Sequence, residues 1–360
     1  MDLATFNQFL GAAVKAGASD IHFKAGTAPA VRVNGELRPV RVPALHAEDT
    51  QRIAGHILNA ARWRGNMEEL REVDTSYALE GTGRFRASVF RQMGNFAAVL
   101  RSIPMTTPNF DMLGVPPVLK KIAEEDRGLI LVTGVTGSGK TSTLAAFVNE
   151  INQRFRKHIL TVEDPIEFIH QDAQSRITQR EVGPDTPSFA TALRAALRQD
   201  PDVILVGEMR DLETIDIALK AAETGHLVLS TAHTIDAART IGRIIGVYPP
   251  DAQQGVRNRL AETLRASISQ RLLARADGRG RVVAAEILVN TLGISELIRE
   301  PGRTAEITEH LEKGRDVYGT QSFDQHLAYL FQSAVVTQEV AREASTNPSD
   351  FERNIALGGE

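Results

Sequence analysis

The sequence of 360 residues predicts an α/β protein, in which a small α+β domain precedes a larger domain built on a parallel sheet. Three observations predict this class. Apolar strand-like segments alternate with helix-like segments from about residue 118, which indicates a parallel sheet covered by helices. A glycine-rich loop of the form G-x-x-x-x-G-K-[ST] follows the first of those segments. A stretch with four prolines, residues 104–117, separates the two parts of the chain.

Residues 1–103 are expected to form the small α+β domain, because their pattern mixes helical and strand periods. Asn34-Gly35, between two short alternating segments, predicts a two-residue hairpin turn. Arg84, Arg86 and Ser88 are spaced two apart, so a strand presents them on one face. The expected helices span residues 3–16 and 47–61, and the expected strands span residues 19–23, 31–33, 36–38, 74–80 and 84–90.

The rest of the chain divides into three expected regions. Residues 104–117 are expected to link the domains, residues 118–290 to form the parallel-sheet core, and residues 291–360 to be helical. The strands expected in the core are four apolar segments at residues 129–132, 159–162, 203–206 and 227–231. The helices expected near the C-terminus span residues 294–299, 305–313, 323–333 and 338–344.

The most specific signal is the glycine-rich stretch Gly134-Val135-Thr136-Gly137-Ser138-Gly139-Lys140-Thr141. Its glycines let backbone N–H groups close around phosphate oxygens, and the N-terminus of the following helix adds a partial positive charge. Lys140 is then expected to reach the β- and γ-phosphates, and the Thr141 hydroxyl to bind Mg²⁺. The alternative is a glycine-rich turn with a chance lysine. The apolar run before the loop and the helix-forming run after it favour the phosphate-binding interpretation.

Two of the expected strands end in carboxylates. Glu163, Asp164 and Glu167 follow the strand at residues 159–162, and one of them would bind the metal or polarise the attacking water. The alternative is a helix N-terminus, which favours acids. Gly207-Glu208 follows the next apolar strand, so Glu208 is expected to contact the Mg²⁺ shell or to orient water. Here the alternative is a solvent-facing strand end.

Two histidines, His226 and His233, bracket the strand at residues 227–231. A neutral histidine donates one hydrogen bond and accepts another, so the pair suits the sensing of a γ-phosphate or the coupling of subunits. The alternative is a structural role for both.

Four arginines cluster on or near the last strands of the first domain. One guanidinium group can bind two phosphate oxygens at once. Arg86 and Arg101 are therefore candidates for arginine fingers, which stabilise the charge on a transferring phosphoryl group. The alternative is a basic, solvated sheet face. The four residues are Arg84, Arg86, Arg91 and Arg101.

Composition narrows the classes of partner. A net charge of −4 provides no general attraction for nucleic acid, and the absence of cysteine excludes disulfides and thiolate metal sites. The N-terminus lacks the basic and long apolar regions of a signal peptide, and no run of about 18 apolar residues predicts a membrane span. We therefore expect no nucleic-acid partner and no direct membrane insertion, so that any membrane association goes through another protein.

The ordered motifs resemble those of the secretion-superfamily ATPases of type IV pili and type II secretion, and most closely the PilT family of pilus retraction ATPases. The resemblance spans nearly the whole chain. Its motifs are GASDIHF, VNGELRPV, GRFRASVF, GVTGSGKTST, TVEDPIEF, ALRQDPDVILVGEMRD, AAETGHLVLSTAHT and RIIGVYPP.

The resemblance implies roles for individual residues. The family's Walker A motif corresponds to residues 134–141, and its acidic Asp box to residues 163–167. Its atypical Walker B motif ends at Glu208, the implied catalytic base or water-orienting residue, and Glu163 is the implied metal ligand or second acid. The family's His box corresponds to His226 and His233, and its arginine fingers correspond to Arg86 and Arg101.

The resemblance also implies an N-terminal PAS-like domain, a RecA-like motor domain and a homohexameric ring that hydrolyses Mg²⁺-ATP. Such a ring would work in the cytoplasm, at the inner membrane, on the platform protein of the pilus machine. The short chain without cysteine resembles the retraction branch, because assembly and secretion ATPases typically carry a longer N-terminal region and a four-cysteine zinc module.

Other functions remain open at this point. The family's A-I-R-N-L stretch corresponds here to Gly293-Ile294-Ser295-Glu296-Leu297, which leaves an accessory motor of the PilU kind, or an assembly or secretion motor, as alternatives. A scaffold ring would require degenerate phosphate ligands, whereas Lys140 and Thr141 are both present. A nucleic-acid translocase is the remaining alternative, and the acidic balance of the chain weighs against it.

Overall fold

A computed structural model describes residues 1–33, 35–61, 63–103 and 106–356, with the side chains at positions 350, 354 and 356 left out. By its internal contacts the chain divides into two units. The first comprises Met1–Thr106, Asp164–Ile169 and Glu181–Pro187, and the second comprises Thr107–Glu163, His170–Arg180 and Ser188–Glu360. The asparagine of the expected Asn34-Gly35 turn lies outside the described residues. No helix in the described ranges is both long enough and apolar enough to cross a bilayer.

The first unit is a six-stranded antiparallel sheet with two helices. In order along the sheet the strands are β3, β2, β1, β6, β5 and β4. The strands are β1 (Ala18–Lys24), β2 (Ala30–Val33), β3 (Glu36–Pro39), β4 (Glu72–Leu79), β5 (Gly83–Gln92) and β6 (Asn95–Ile103), and the helices are α1 (Leu3–Lys15) and α2 (Ala47–Ala60).

One face of this sheet is apolar and the other is polar. Phe6 of α1 and Ile53 of α2 are fully buried in the same core as Phe85 and Val89 of β5. Because side chains alternate along a strand, this burial turns Arg86, between Phe85 and Val89, toward the opposite face. The alternation predicted from the sequence for this strand is therefore present in the structure.

The second unit is built on a seven-stranded sheet, with the order β13, β12, β7, β11, β10, β8 and β9. β7 and β10 are buried along their whole length, as the continuous apolar runs predict. The alternation along the chain predicts four of the seven strands, and β9, β12 and β13 are additional. The strands are β7 (Gly128–Thr133), β8 (His158–Glu163), β9 (Arg176–Glu181), β10 (Val203–Val206), β11 (Leu227–Ala232), β12 (Leu264–Ala274) and β13 (Arg281–Val289).

Helices cover both faces of this sheet, and the last three pack on β12 and β13 through Leu327, Ala341 and Phe351. The helices before β10 are α3 (Phe110–Leu113), α4 (Val118–Ile122), α5 (Lys140–Arg154) and α6 (Phe189–Ala196). Those that follow are α7 (Leu212–Glu223), α8 (Ala237–Gly246), α9 (Gln253–Thr263), α10 (Leu292–Arg299), α11 (Ile307–Lys313), α12 (Arg315–Tyr318), α13 (Phe323–Gln332), α14 (Gln338–Ala344) and α15 (Pro348–Ala356). A short 3₁₀ turn, Thr304–Glu306, precedes α11.

The segment expected to be a linker contains an anchored helix. Within residues 104–117, the described part belongs to the second unit from Thr107 onward and includes α3. Phe110 of α3 is buried edge-on against Phe147 of α5, with ring centroids 4.9 Å apart. An aromatic ring buried in this way holds the segment to the sheet domain, which a count of prolines cannot reveal.

Candidate nucleotide-binding site

The predicted site residues follow strands that lie side by side and point the same way. β7, β11, β10 and β8 are parallel neighbours in that order, so their carboxyl ends share one edge of the sheet. The phosphate loop follows β7, His233 follows β11, Glu208 follows β10, and Glu163 ends β8. With about 4.8 Å between strands, β10 is about 10 Å from β7 and β8 is about 14 Å from it. The order of the strands therefore makes Glu208 the acid nearer to the phosphate loop.

The phosphate loop begins at a position that only glycine can occupy. Gly134 has a φ of 141°, and a Cβ built there would lie 2.5 Å from Ser138 Oγ and 2.6 Å from the Gln270 carbonyl oxygen. The loop also turns into α5 through Gly139, whose φ is 90°. The backbone N–H groups at the start of α5 consequently face the loop, where phosphate oxygens are bound in loops of this kind.

Lys140 and Ser138 provide polar side chains inside this loop. The Lys140 ammonium is buried and donates to the carbonyl oxygens of Gly134, at 2.8 Å, and of Val135, at 3.0 Å. Ser138 Oγ is buried and has no hydrogen-bond partner within the described ranges. A buried hydroxyl without a partner, beside a buried ammonium at the N-terminus of α5, fits the oxygens of a phosphate chain. Thr141 is half-buried in the first turn of α5.

Two buried side-chain hydrogen bonds connect β12 to the strand and helix that flank the phosphate loop. Gln270 of β12 donates to Thr143 Oγ1 of α5 at 2.8 Å. Thr133, the last residue of β7, donates to Ser269 Oγ at 3.0 Å. Both pairs join the loop's own strand and helix to β12, so the sheet positions the loop in addition to the contacts within it.

Glu208 is carried by a backbone that is bonded on both sides. The Gly207 amide donates to the Val162 carbonyl at 2.8 Å, and the Gly207 carbonyl accepts from Thr231 Oγ1 at 2.6 Å. The Glu208 side chain is 21% exposed and pairs with Arg210 and with His233, whose Nε2 lies 3.4 Å from Glu208 Oε2. A partly exposed carboxylate at this edge is able to accept a proton from water.

Glu163 is more deeply buried, at 9% exposure, and it is held by two side chains. Its Oε1 accepts from Thr161 Oγ1 at 2.7 Å and from Gln179 Nε2 at 3.2 Å. The three acids considered in the sequence analysis divide between the two units. Asp164 and Glu167 are exposed and, by their contacts, belong to the first unit, whereas Glu163 ends β8 in the second.

The two histidines lie at opposite ends of β11. His233 follows the strand and meets Glu208, but His226 precedes it and lies at the other edge of the sheet, about 20 Å away along six residues. His226 Nδ1 is 2.9 Å from the Ala221 carbonyl oxygen, at the end of α7. Of these two histidines, His233 therefore lies at the edge of the sheet that carries the phosphate loop and His226 at the opposite edge, because strand direction separates residues that bracket a strand.

The structure divides the four arginines into two kinds. Arg84 pairs with the buried Glu181 and with Ser76 Oγ, both within the first unit. Arg91 donates to the carbonyl oxygens of Leu70 and Met67, and its guanidinium lies 4.2 Å from the centroid of the Phe96 ring. These two arginines therefore have structural partners within the first unit.

Arg86 and Arg101 lie directly opposite each other on β5 and β6, on the polar face of the sheet. Arg101 Nε donates to Asp20 Oδ1 on β1 at 2.8 Å. Burial acts to raise the pKa of Asp20, but hydrogen bonds from Arg101 and Ser19 outweigh it and hold the pKa below its ordinary value. An ionised Asp20 thus orients Arg101, whose side chain is 70% exposed.

Several supporting residues were missed by the sequence analysis. Gln270, Thr143 and Gln179 act through contacts between distant segments, and no local pattern marks them. Glu286 was also missed, although it interrupts the apolar run of β13, R-V-V-A-A-E-I-L-V, and that interruption is visible in the sequence.

Comparisons with known proteins agree with this geometry. The model of the type II/IV secretion system protein family matches residues 3–358. The chain is 44% identical over 344 residues to the type IV pilus retraction ATPase PilT of Pseudomonas aeruginosa, which covers 96% of this chain and 99% of PilT. It is 39% identical over 355 residues to the type IV pilus ATPase PilU of the same organism, which covers 99% of this chain and 92% of PilU.

Among solved structures, a crystal structure of the pilus retraction motor PilT with bound ADP matches with a TM-score of 0.88 and 44% identity. The match covers 98% of this chain and 99% of that one. The predicted fold class, an α/β protein with a RecA-like sheet domain, is confirmed by this match. The chain therefore belongs to the type II/IV secretion system protein family.

Proposed function

We propose that the protein is a Mg²⁺-dependent ATPase that works as a homohexameric motor in the retraction of type IV pili. The observation that carries the proposal is the meeting of the phosphate loop and Glu208 at one edge of a parallel sheet. Relatives that are named as pilus ATPases support the choice of motor.

ATP binds through the phosphate loop. The loop amides and the Ser138 hydroxyl donate to phosphate oxygens, and Lys140 exchanges its bonds to the Gly134 and Val135 carbonyls for a phosphate oxygen. The Thr141 hydroxyl and the Glu163 carboxylate are hard oxygen donors of the kind that Mg²⁺ prefers. When bound there, Mg²⁺ would neutralise charge on the phosphates.

Glu208 is the residue that activates water. The water oxygen bonds to the γ-phosphorus, the bond from that phosphorus to the bridging oxygen breaks, and ADP keeps the bonding electrons. Glu208 accepts the water proton and passes it to the released phosphate, so the carboxylate is regenerated. His233 lies against Glu208 and limits the directions in which that carboxylate can turn.

Arg86 and Arg101 stabilise the charge that develops on the γ-phosphate. Their opposed positions on one sheet face concentrate two guanidinium groups, and Asp20 orients one of them in advance. We expect them to act in the nucleotide-bound state of the assembled ring.

The motor performs mechanical work through the change of conformation between its nucleotide-bound and nucleotide-free states. ATP binding favours the arrangement of the two units that makes more contacts with it, and release of the products reverses the change. In a homohexamer at the cytoplasmic side of the inner membrane, that change would be passed to the platform protein at the base of the pilus.

An accessory retraction motor of the PilU kind is the second candidate, and α10 carries the observation that favours it. Ser295 is buried and donates to the Ala261 carbonyl at 2.9 Å, whereas Glu296 is exposed. The retraction family has arginine and asparagine at these two positions. The exposed face of α10 is thereby more acidic here, which would alter contact with a partner.

Deletion of the gene in its own host separates these functions. We expect hyperpiliated cells that do not twitch if the protein is the main retraction motor. Near-normal motility that fails under load would favour the accessory role, and cells without surface pili would mean that the motor assembles pili instead.

A second experiment tests the enzyme itself. The purified full chain should hydrolyse ATP only with Mg²⁺, and added DNA should leave the rate unchanged. Strong stimulation by DNA would favour a nucleic-acid translocase over a pilus motor.

A further inference from the structure

Glu286 is a buried acid to which the proposed mechanism assigns no role. It lies in the middle of β13, where it is 4% exposed and its neighbours Ala285 and Ile287 are fully buried. A carboxylate in such a place is unfavourable unless specific polar groups meet it. The polar groups around Glu286 connect it to the nucleotide site in two directions.

On one side, Glu286 ends a row of buried polar side chains that starts at the phosphate loop. The strand register pairs Glu286 with Ser269 on β12, and Ser269 with Thr133 on β7. Thr133 donates to Ser269 at 3.0 Å, and Ser269 faces Glu286 across the strand pair, where its hydroxyl acts to lower the pKa of Glu286. Thr133 directly precedes Gly134, so the row ends where the loop begins.

On the other side, Glu286 holds the start of α8. Its Oε1 accepts from the Ala237 backbone N–H at 2.7 Å, and Ala237 is the first residue of that helix. Three residues separate Ala237 from His233, which contacts Glu208. The position of the segment after β11 therefore depends on the bond between Glu286 and Ala237.

We propose that Glu286 is a positioning residue of the ATP site, which holds the phosphate loop and the His233 segment in register through Ser269 and Ala237. The inference rests on the proposed ATPase function. Glu286 does not touch the reacting atoms, and it acts through the two groups that it holds.

The charges around Glu286 come from three elements. Asp236 caps the N-terminus of α8, Arg271 lies two residues beyond Ser269 on β12, and Asp324 of α13 acts on Arg271. His326 of α13 accepts from the Ala285 N–H, and burial lowers its pKa to about 4, so it stays neutral near pH 7.

These surroundings place the titration of Glu286 near neutral pH. Burial, with repulsion from Asp236, raises the pKa of Glu286 to about 7 against the opposing effects of Ala237, Arg271 and Ser269. The ionised carboxylate accepts from Ala237 and Ser269 together, which leaves Ser269 Oγ available to accept from Thr133. The protonated acid must donate a hydrogen bond, which reverses the direction in which the Ser269 hydroxyl donates. We therefore expect the ATP turnover rate to rise as pH increases through about 7.

The test compares Glu286→Gln, Glu286→Ala and Ser269→Ala with a matched control, Ser267→Ala, in the full chain. Ser267 is also fully buried on β12, and its hydroxyl has no partner among the described residues, so its removal should leave turnover unchanged. The kcat and the KM for ATP are measured from pH 6 to 8.5, with thermal unfolding of each variant.

We expect Glu286→Ala to lower kcat about tenfold with little change in KM, the size expected from losing one buried charged hydrogen bond. Glu286→Gln keeps an acceptor for Ala237 and imitates the protonated acid. Its kcat should match the wild type at pH 6, fall several-fold below it at pH 8, and lose the rise near pH 7. Ser269→Ala should lower kcat, unlike Ser267→Ala.

Two results would overturn the inference. One is a Glu286→Gln variant with the wild-type pH profile and kcat, and the other is equal kcat for Ser269→Ala and Ser267→Ala. A wild-type chain that fails to hydrolyse ATP contradicts the proposed function instead. Active wild type beside unaffected variants contradicts only the role of Glu286.

Discussion

The two sheets of this protein present their candidate functional side chains in different ways. In the seven-stranded sheet these groups follow the strands, as the phosphate loop follows β7 and Glu208 follows β10. In the six-stranded sheet they lie within the strands, where Arg86 and Arg101 share the polar face. The first set is held by backbone and buried hydrogen bonds, whereas Arg101 is held by one carboxylate and is largely exposed.

The difference teaches how the two sets are positioned. A strand end is placed by the whole sheet, so a group there keeps its position without a ligand. Two like charges opposite each other on an open face repel, and they gain most from an anion that binds both. We therefore expect the strand-end groups to keep their positions with or without nucleotide. We expect the two arginines to become ordered when the nucleotide binds.

The largest expected effect is that of Lys140→Ala, which removes the buried ammonium from the fixed set. Loss of a buried charged partner of phosphate should weaken ATP binding by at least about 100-fold. Titration calorimetry measures the affinity, and Lys121→Ala, at an exposed lysine on α4, is the control. Tight binding by the Lys140 variant would show that the loop does not bind the phosphates.

Glu208→Gln should have the next largest effect and should separate binding from chemistry. The amide cannot accept a proton from water, so kcat should fall about 100- to 1,000-fold while the KM for ATP changes little. Steady-state ATPase assays measure both constants, with Glu213→Gln on the exposed side of α7 as control. Turnover at the wild-type rate would remove Glu208 from the mechanism.

Arg86→Ala and Arg101→Ala probe the second set. Because two guanidinium groups share the charge, each variant alone should lower kcat about 10- to 100-fold. Asp20→Asn should lower it a few-fold, since it removes only the orientation of Arg101. Arg38→Ala, at an exposed arginine on β3 of the same sheet, is the control. Unchanged turnover in both arginine variants would mean that the polar face is solvated and not catalytic.

The last expected effect concerns stability and its dependence on pH. The pKa of Glu286 is raised from 4.5 to about 7, so its contribution to stability is present below pH 4.5 and is lost as pH rises through 7. A shift of about 2.5 pH units corresponds to roughly 3 kcal/mol as an upper limit. Glu286→Gln should therefore become more stable relative to wild type as pH rises. Thermal unfolding at pH 5 and pH 8 measures the difference, and a constant difference would contradict it.

Local features were predictable from the sequence, and long-range ones were not. The phosphate loop was found because its strand, glycines and helix are contiguous. The sequence alone did not distinguish structural arginines from candidate catalytic ones. Glu181, the partner of Arg84, lies 97 residues away along the chain. The role expected for His226 at the loop depended on the direction of β11, which a pattern of flanking histidines does not contain. Phe110 shows the same limit, since its partner Phe147 belongs to another helix.

Gly207 has a consequence for the timing of the cycle. Its amide and carbonyl are both bonded to neighbouring strands, so the backbone that carries Glu208 cannot withdraw without breaking the sheet. The backbone of Glu208 is thus in place at every stage, so its withdrawal cannot be the step that delays hydrolysis. In the proposed mechanism, the delay between ATP binding and cleavage would then depend on the step that brings Arg86 and Arg101 to the phosphate.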